Sequence, residues 1–182
     1  MITGWLFDVY VLDSKIILWI KSHHGMHRIE KQWTPSLYVA SDSKSKLERL
    51  ETNPVIKPFV KQFKRIIKFE KVSDIEASRV LQISVNKSGD LVKLAKSIEK
   101  LDKFGIYRLY NVDVPAEQIY LYQNKLYPLG QYQIDDTWHE LSDITETDYK
   151  LPTFTKIHLK VTAKSNQAIP KFTDTIDKIR IN

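Results

Sequence analysis

Residues 79–112, RVLQISVNKSGDLVKLAKSIEKLDKFGIYRLYNV, decide the fold. From Arg79 to Val85 the chain alternates: Leu81, Ile83 and Val85 stand on one side, Val80, Gln82 and Ser84 on the other. That period of two predicts a strand. The spacing then changes. Leu91, Leu94, Ala95, Ile98 and Leu101 recur at three and four residues, the stripe of an amphipathic helix. Ser88 or Asp90 caps its start, and Phe104-Gly105 ends it. Ile106 to Val112 returns to a strand. Working upstream, Ser36–Ala40 reads as a strand. Ser43 caps a helix running to Thr52 with Leu47 and Leu50 on one face, and Asn53-Pro54 stops it. Ile66 to Val72, alternating with Lys68 and Glu70, is a further strand. The order from 36 to 112 is β-α-β-β-α-β, the ferredoxin-like pattern.

Outward from that unit, the first 35 residues predict a β-meander. Trp5–Leu12 and Lys15–Ile20 are rich in β-branched and aromatic residues, with Asp13-Ser14 as a turn. His24-Gly25 turns the chain into Met26–Trp33, and Thr34-Pro35 breaks that strand. Downstream, Pro115 opens a short helix to about Asn124, and Tyr127-Pro-Leu-Gly130 interrupts the pattern. Residues 130–153 are polar and acidic, with short strands around Tyr132 and Trp138. Lys156–Ala163 and Ile176–Ile181 read as the two strands of a hairpin. The chain stops just inside it, which suggests a piece of something longer. The predicted class is α+β: an N-terminal β-meander, a ferredoxin-like subdomain and a terminal β-hairpin.

Composition narrows the function. The 182 residues are 42% hydrophobic, 27% charged and 11% aromatic, as a folded chain with a core requires. No run of 18 apolar residues exists to form a membrane helix. Met1-Ile-Thr-Gly-Trp-Leu-Phe-Asp lacks the basic and apolar regions of a signal peptide. Cysteine is absent, which excludes disulfides and thiol catalysis. A cytoplasmic location is expected. The net charge is +6, and it is unevenly spread. Residues 57–71 carry Lys57, Lys61, Lys64, Arg65, Lys68 and Lys71 against Glu70 alone. Residues 135–148 carry Asp135, Asp136, Glu140, Asp143, Glu146 and Asp148 with no Lys or Arg. The basic window is interleaved with Phe59, Phe63 and Phe69. Cations for phosphates and rings for bases point to nucleic-acid contact, against the alternative of a solvated strand over core phenylalanines.

Catalytic signatures are missing. No Gly-rich phosphate loop, G-K-[ST] or G-x-S-x-G is present. His23, His24 and His27 cluster at a turn without a carboxylate at ligand spacing, so exposed turn histidines are expected rather than a metal site. Asp135-Asp136 and Asp143/Glu146 read as a solvated linker. No catalytic residue, metal site or small-molecule cofactor is expected.

Three collinear segments resemble the N-terminal domain of archaeal-type family B DNA polymerases. They are Gly4-Trp-Leu-Phe-Asp-Val-Tyr-Val-Leu with Trp33-Thr-Pro-Ser-Leu-Tyr-Val-Ala, then Tyr110-Asn-Val-Asp-Val-Pro-Ala-Glu-Gln-Ile-Tyr-Leu, then Leu126-Tyr-Pro-Leu-Gly. The resemblance covers roughly residues 4–135. It implies a template-binding domain over 1–134, an acidic linker over 135–153 and, over 154–182, the first strands of an exonuclease-like domain. In that family the first exonuclease strand carries two metal-binding acids. Lys160 and Thr162 stand at those positions here, so the resemblance implies a degenerate site. It also implies single-stranded DNA template and the remainder of a polymerase as partners, and a remnant pocket for deaminated bases such as uracil at Tyr10, Pro35, Ser36, Asp90, Leu91, Val114 and Pro115. Ser36 replaces the family's usual aromatic, and Ile119 replaces a supporting arginine. The alternative is a non-catalytic module that docks on a polymerase assembly.

Overall fold

The computed structural model describes residues 1–141, 151–165, 167 and 169–181. Asp143, Glu146 and Asp148 of the acidic segment lie outside the described residues. The chain divides into two units, Met1–Leu151 and Pro152–Asn182. It is an α+β protein whose sheets are antiparallel.

The first unit opens with the meander β1 (Ile2–Leu12), β2 (Lys15–Ser22) and β3 (Gly25–Gln32). Asp13 takes a positive φ of 54° in the first turn, and Gly25 takes 135° in the second. Aspartate is among the few non-glycine residues that tolerate the left-handed region. Two later strands, β8 (Gln131–Ile134) and β9 (Trp138–Glu140), complete a five-stranded sheet in the order β3-β2-β1-β8-β9. Trp138–Glu140 is the short strand expected around Trp138, and it pairs with β8 in this sheet. Leu6, Ile16, Leu18, Ile20, Tyr132 and Ile134 form the core of this layer, and Tyr120 of α3 (Ala116–Asn124) packs on it.

Gly4 is where this sheet is tightest. A Cβ there would lie 2.6 Å from the Lys21 carbonyl oxygen and 2.8 Å from Ile20 Cγ2. Real side chains do not sit so close, so the β1–β2 ladder must shift. Gly4→Ala is expected to destabilise the protein by about 2 kcal/mol, the scale of an overpacked core. Urea denaturation reads this. A midpoint equal to wild type would show that the ladder moves freely.

The ferredoxin-like half follows as β4 (Ser36–Ala40), α1 (Lys44–Thr52), β5 (Val60–Lys68), β6 (Ser78–Val85), α2 (Asp90–Glu99) and β7 (Arg108–Tyr110). The sheet order is β5-β6-β4-β7, with every neighbour antiparallel. Two split β-α-β units interleaved in this way give the ferredoxin-like topology. Leu37, Val39, Leu81, Ile83 and Val85 cover one face of the sheet, and Leu50, Leu91, Leu94 and Ile98 of the helices bury it.

Three elements have ends that differ from the sequence reading. β5 begins at Val60 rather than Ile66, directly after the 3-10 turn Lys57–Phe59, and it stops at Lys68 rather than Val72. As an edge strand it exposes side chains on both faces, which hides the alternation. β7 is only three residues long because Gly105 (φ 84°) and Asn111 (φ 63°) bend the chain on either side. α2 has Gly89 at its N-cap, not Ser88 or Asp90, and it ends at Glu99 rather than near Phe104. Ser43 does occupy the N-cap of α1, but its hydroxyl contacts Ser45 Oγ (2.9 Å) and not a helix N–H.

The second unit carries the antiparallel pair β10 (Leu159–Lys164) and β11 (Thr175–Ile181). Leu159, Val161, Ile176, Ile179 and Ile181 are each at least half exposed.

Candidate nucleic-acid interface

Cross-strand partners point to the same side of a sheet. The register therefore defines the face of the ferredoxin-like sheet that the helices leave uncovered. Gln62, Lys64, Ile66 and Lys68 of β5 lie opposite Ser84, Gln82, Val80 and Ser78 of β6. Ser36 and Tyr38 of β4 lie opposite Ser84 and Gln82. Tyr38 and Ala40 lie opposite Tyr110 and Arg108 of β7. One face thus combines two tyrosines with two lysines of the edge strand.

The basic window divides by this register. Lys64 and Lys68 stand on the open face, and both are exposed. Lys61 falls at a bulge between Val60 and Gln62 and is exposed. Lys57 and Lys71 are exposed at the two ends of the strand. Arg65 points the other way, opposite Leu81, where its Nε donates to Glu51 of α1 at 2.8 Å. Its charge is already matched within the fold. The interleaved phenylalanines also separate. Phe59 and Phe63 pack against the core, whereas Phe69 is 62% exposed.

A cavity of about 480 Å³ opens where this face meets α3. Tyr38, Lys68, Phe69, Glu70, Tyr110 and Tyr122 line it, together with Val114 and Ile119 and the amides of Asn111 and Gln123. Lys68 Nζ sits 5.0 Å from the centre of the Tyr38 ring, within cation–π range. Glu70 is nearly enclosed. Its Oε2 accepts from Arg108 Nε (2.8 Å) and from the Tyr110 hydroxyl (2.8 Å), and its Oε1 accepts from the second guanidinium arm (3.1 Å). Those bonds, the Arg108 pair first, hold its carboxyl at about 2 against an ordinary 4.5. Arg108 is shared with Asp42 (2.9 Å), so the guanidinium is neutralised as well. The uncommitted cation of the cavity is Lys68. Tyr38 was not singled out from the sequence; the register of β4 with β6 places it on the same face as Ser36.

The seven positions of the implied base pocket come from four segments that hydrogen bonds draw together. The Val11 N–H donates to Glu117 (3.0 Å), tying β1 beside Tyr10 to the start of α3. The Ser88 N–H donates to the Asp13 carbonyl (2.8 Å), tying the approach to α2 to the β1–β2 turn. The Val85 N–H donates to the Pro35 carbonyl (3.2 Å). The side chains are less available. Pro35 is buried, Ser36 is 4% exposed and bonded to Ser84 Oγ (2.8 Å), and Leu91 is 5% exposed in the helical core. Asp90 pairs with Lys93 at 3.6 Å. Tyr10 and Pro115 are exposed. Val114 lines the open-face cavity.

Among the described residues no group of three or more His, Asp or Glu is arranged to hold a metal. His23 stacks edge-on against Trp5, and His27 Nε2 lies 2.9 Å from Ser22 Oγ. In the hairpin Lys160 faces Arg180 and Thr162 faces Lys178. Three cations and a hydroxyl do not fit Mg²⁺, which requires hard anionic oxygens. No helix among the described residues is long and apolar enough to cross a membrane.

No protein-family description and no curated protein matches the sequence. The fold is similar to that of the family B DNA polymerase from the hyperthermophilic archaeon Pyrobaculum calidifontis, with a TM-score of 0.67 and 11% identity. The similarity covers 100% of this chain and 26% of that one, so the chain spans about a quarter of the polymerase's length. At that identity the likeness establishes the fold.

Proposed function

We propose that this chain is the N-terminal, single-stranded-template-binding part of a family B DNA polymerase, without catalysis of its own. The observation that carries the reading is the open face of the ferredoxin-like sheet, where exposed lysines of an edge strand flank tyrosines. Phosphate contacts would come from Lys57, Lys61, Lys64, Lys68 and Lys71, with Arg65 held back by Glu51. The likeness in fold to the archaeal polymerase supports the assignment, and on this reading the partner is the remainder of a polymerase. On this reading residues 1–134 bind the strand and 154–182 begin a degenerate exonuclease-like domain.

The experiment is fluorescence anisotropy with a labelled single-stranded oligonucleotide at two salt concentrations. The expected result is binding that weakens with salt, by a slope of about 0.7 per phosphate contact. Affinity that does not change with salt would defeat the proposal.

The base pocket is, on this reading, a closed remnant. Ser36 and Leu91 are buried and Asp90 is paired. An oligonucleotide carrying one uracil is therefore expected to bind within about twofold of its thymine counterpart, a difference of less than 0.5 kcal/mol. A clear uracil preference that Val114→Trp removes would show the pocket to be open.

A second reading rests on the hairpin. Leu159 and Ile181 are 62% and 69% exposed, as expected of strands that pack on a further layer. A docking module would co-purify with a larger polymerase subunit and show no salt-dependent strand binding.

A further inference from the structure

We infer that the cavity between the open sheet face and α3 is a stacking slot that takes one base of a single strand by its ring face. This rests on the strand-binding reading above and adds a place and a mode to it. Four observations carry it. First, the cavity is aromatic: Tyr38, Phe69, Tyr110 and Tyr122 line it. Its volume of about 480 Å³ falls within the range of small-ligand pockets. Second, two of those rings are already presented to solvent. Tyr122 is 69% exposed on α3, and Phe69 is 62% exposed just beyond β5. Large rings left open beside a cavity are what a planar ligand covers.

Third, the charged groups of the cavity other than Lys68 are already matched within the fold. The acceptor atoms of Glu70 are occupied by Arg108 and Tyr110, and Arg108 is divided between Glu70 and Asp42. With those charges spent, the ring faces, which every base offers, are the main surface left to hold a base, beside the amides of Asn111 and Gln123. Fourth, Lys68 covers the Tyr38 ring at 5.0 Å, a position from which it can exchange the ring for a phosphate when a base moves in. Lys64 follows on the same face toward the adjoining phosphate.

The test compares a short oligothymidylate with an abasic strand of equal length by anisotropy. Wild type is expected to prefer the strand with bases by roughly 5- to 150-fold, the range for one stacked base. Phe69→Ser with Tyr122→Ala removes two exposed rings and leaves the core intact, which circular dichroism checks. The variant is expected to lose the preference while its affinity for the abasic strand and its salt slope stay at wild-type values. Equal binding of both strands by wild type would overturn the slot and leave the strand-binding reading standing. A preference unchanged in the variant would also overturn it, since the base would then sit elsewhere. Failure of both strands to bind at low salt would overturn the strand-binding reading and the slot with it.

Discussion

Lys61→Glu, Lys64→Glu and Lys68→Glu together are expected to lower affinity for a single strand several hundredfold at low salt. Each lysine that meets a phosphate releases counterion, so losing three contacts reduces the salt slope by about 2, which at about 0.05 M salt corresponds to that loss. The effect is expected to be the same for every base sequence, because phosphate contacts carry no sequence information. The three side chains are exposed on the edge strand, so the fold is expected to survive. Arg65 is the internal control. It lies on the opposite face in a pair with Glu51, so Arg65→Gln is expected to leave both affinity and slope near wild type. Anisotropy titrations at several salt concentrations measure all of this. A triple variant that binds as tightly as wild type would move the binding surface off β5. A loss as large from Arg65→Gln alone would mean that the Glu51 pair opens to bind the strand.

The contrast between Arg65 and its neighbours shows what was legible in the sequence. The helix α2 was plain, because Leu91, Leu94, Ala95 and Ile98 all face one core and no other demand falls on them. The β-α-β-β-α-β order followed from such buried stripes, and the sheet order agrees with it. The start of β5 was hidden. A period of two is visible only where one face is buried, and Lys61, Gln62, Lys64 and Arg65 are all exposed. Which cations are free was hidden too, since nothing local separates Arg65 from Lys64. Only the cross-strand register turns one toward Glu51 and the other toward the open face. The cavity was less legible still. Its parts come from β4, the end of β5, β7 and α3, and its pairing of Glu70 with Arg108 spans 38 residues. Nothing local in the sequence marks Tyr110 and Tyr122 as cavity residues. Their role beside the cavity depends on α3, where Ile119 faces the cavity and the next residue, Tyr120, faces the meander core.

The Glu70–Arg108 pair is expected to give the largest stability effect near the site. Lys68, Phe69 and Glu70 are consecutive, so the clamp on Glu70 fixes the two residues that border the cavity. The Glu70 side chain is 11% exposed and Arg108 is 35% exposed. Arg108→Met would leave a nearly enclosed carboxylate with only the Tyr110 hydroxyl and Ser78 to hold it. The expected loss is about 3 kcal/mol, the low end for breaking an enclosed pair from one side. Glu70→Gln combined with Arg108→Met is expected to recover part of it, because no charge is then stranded. The pair also sets a pH dependence. Arg108 holds the Glu70 carboxyl at about 2 in the fold against 4.5 when unfolded. The folded form is the stronger acid, so the stabilisation is present above pH 4.5 and is lost as pH falls toward 2. With discounting for the partly exposed partner, that loss is about 2 kcal/mol. Urea denaturation across this window is expected to show wild type weakening more steeply with acid than Glu70→Gln. Parallel curves would assign the acid sensitivity to other carboxylates. A loss below about 0.5 kcal/mol for Arg108→Met would mean that the clamp behaves as a surface pair. The positions of Lys68 and Phe69 would then depend on the β5–β6 ladder alone.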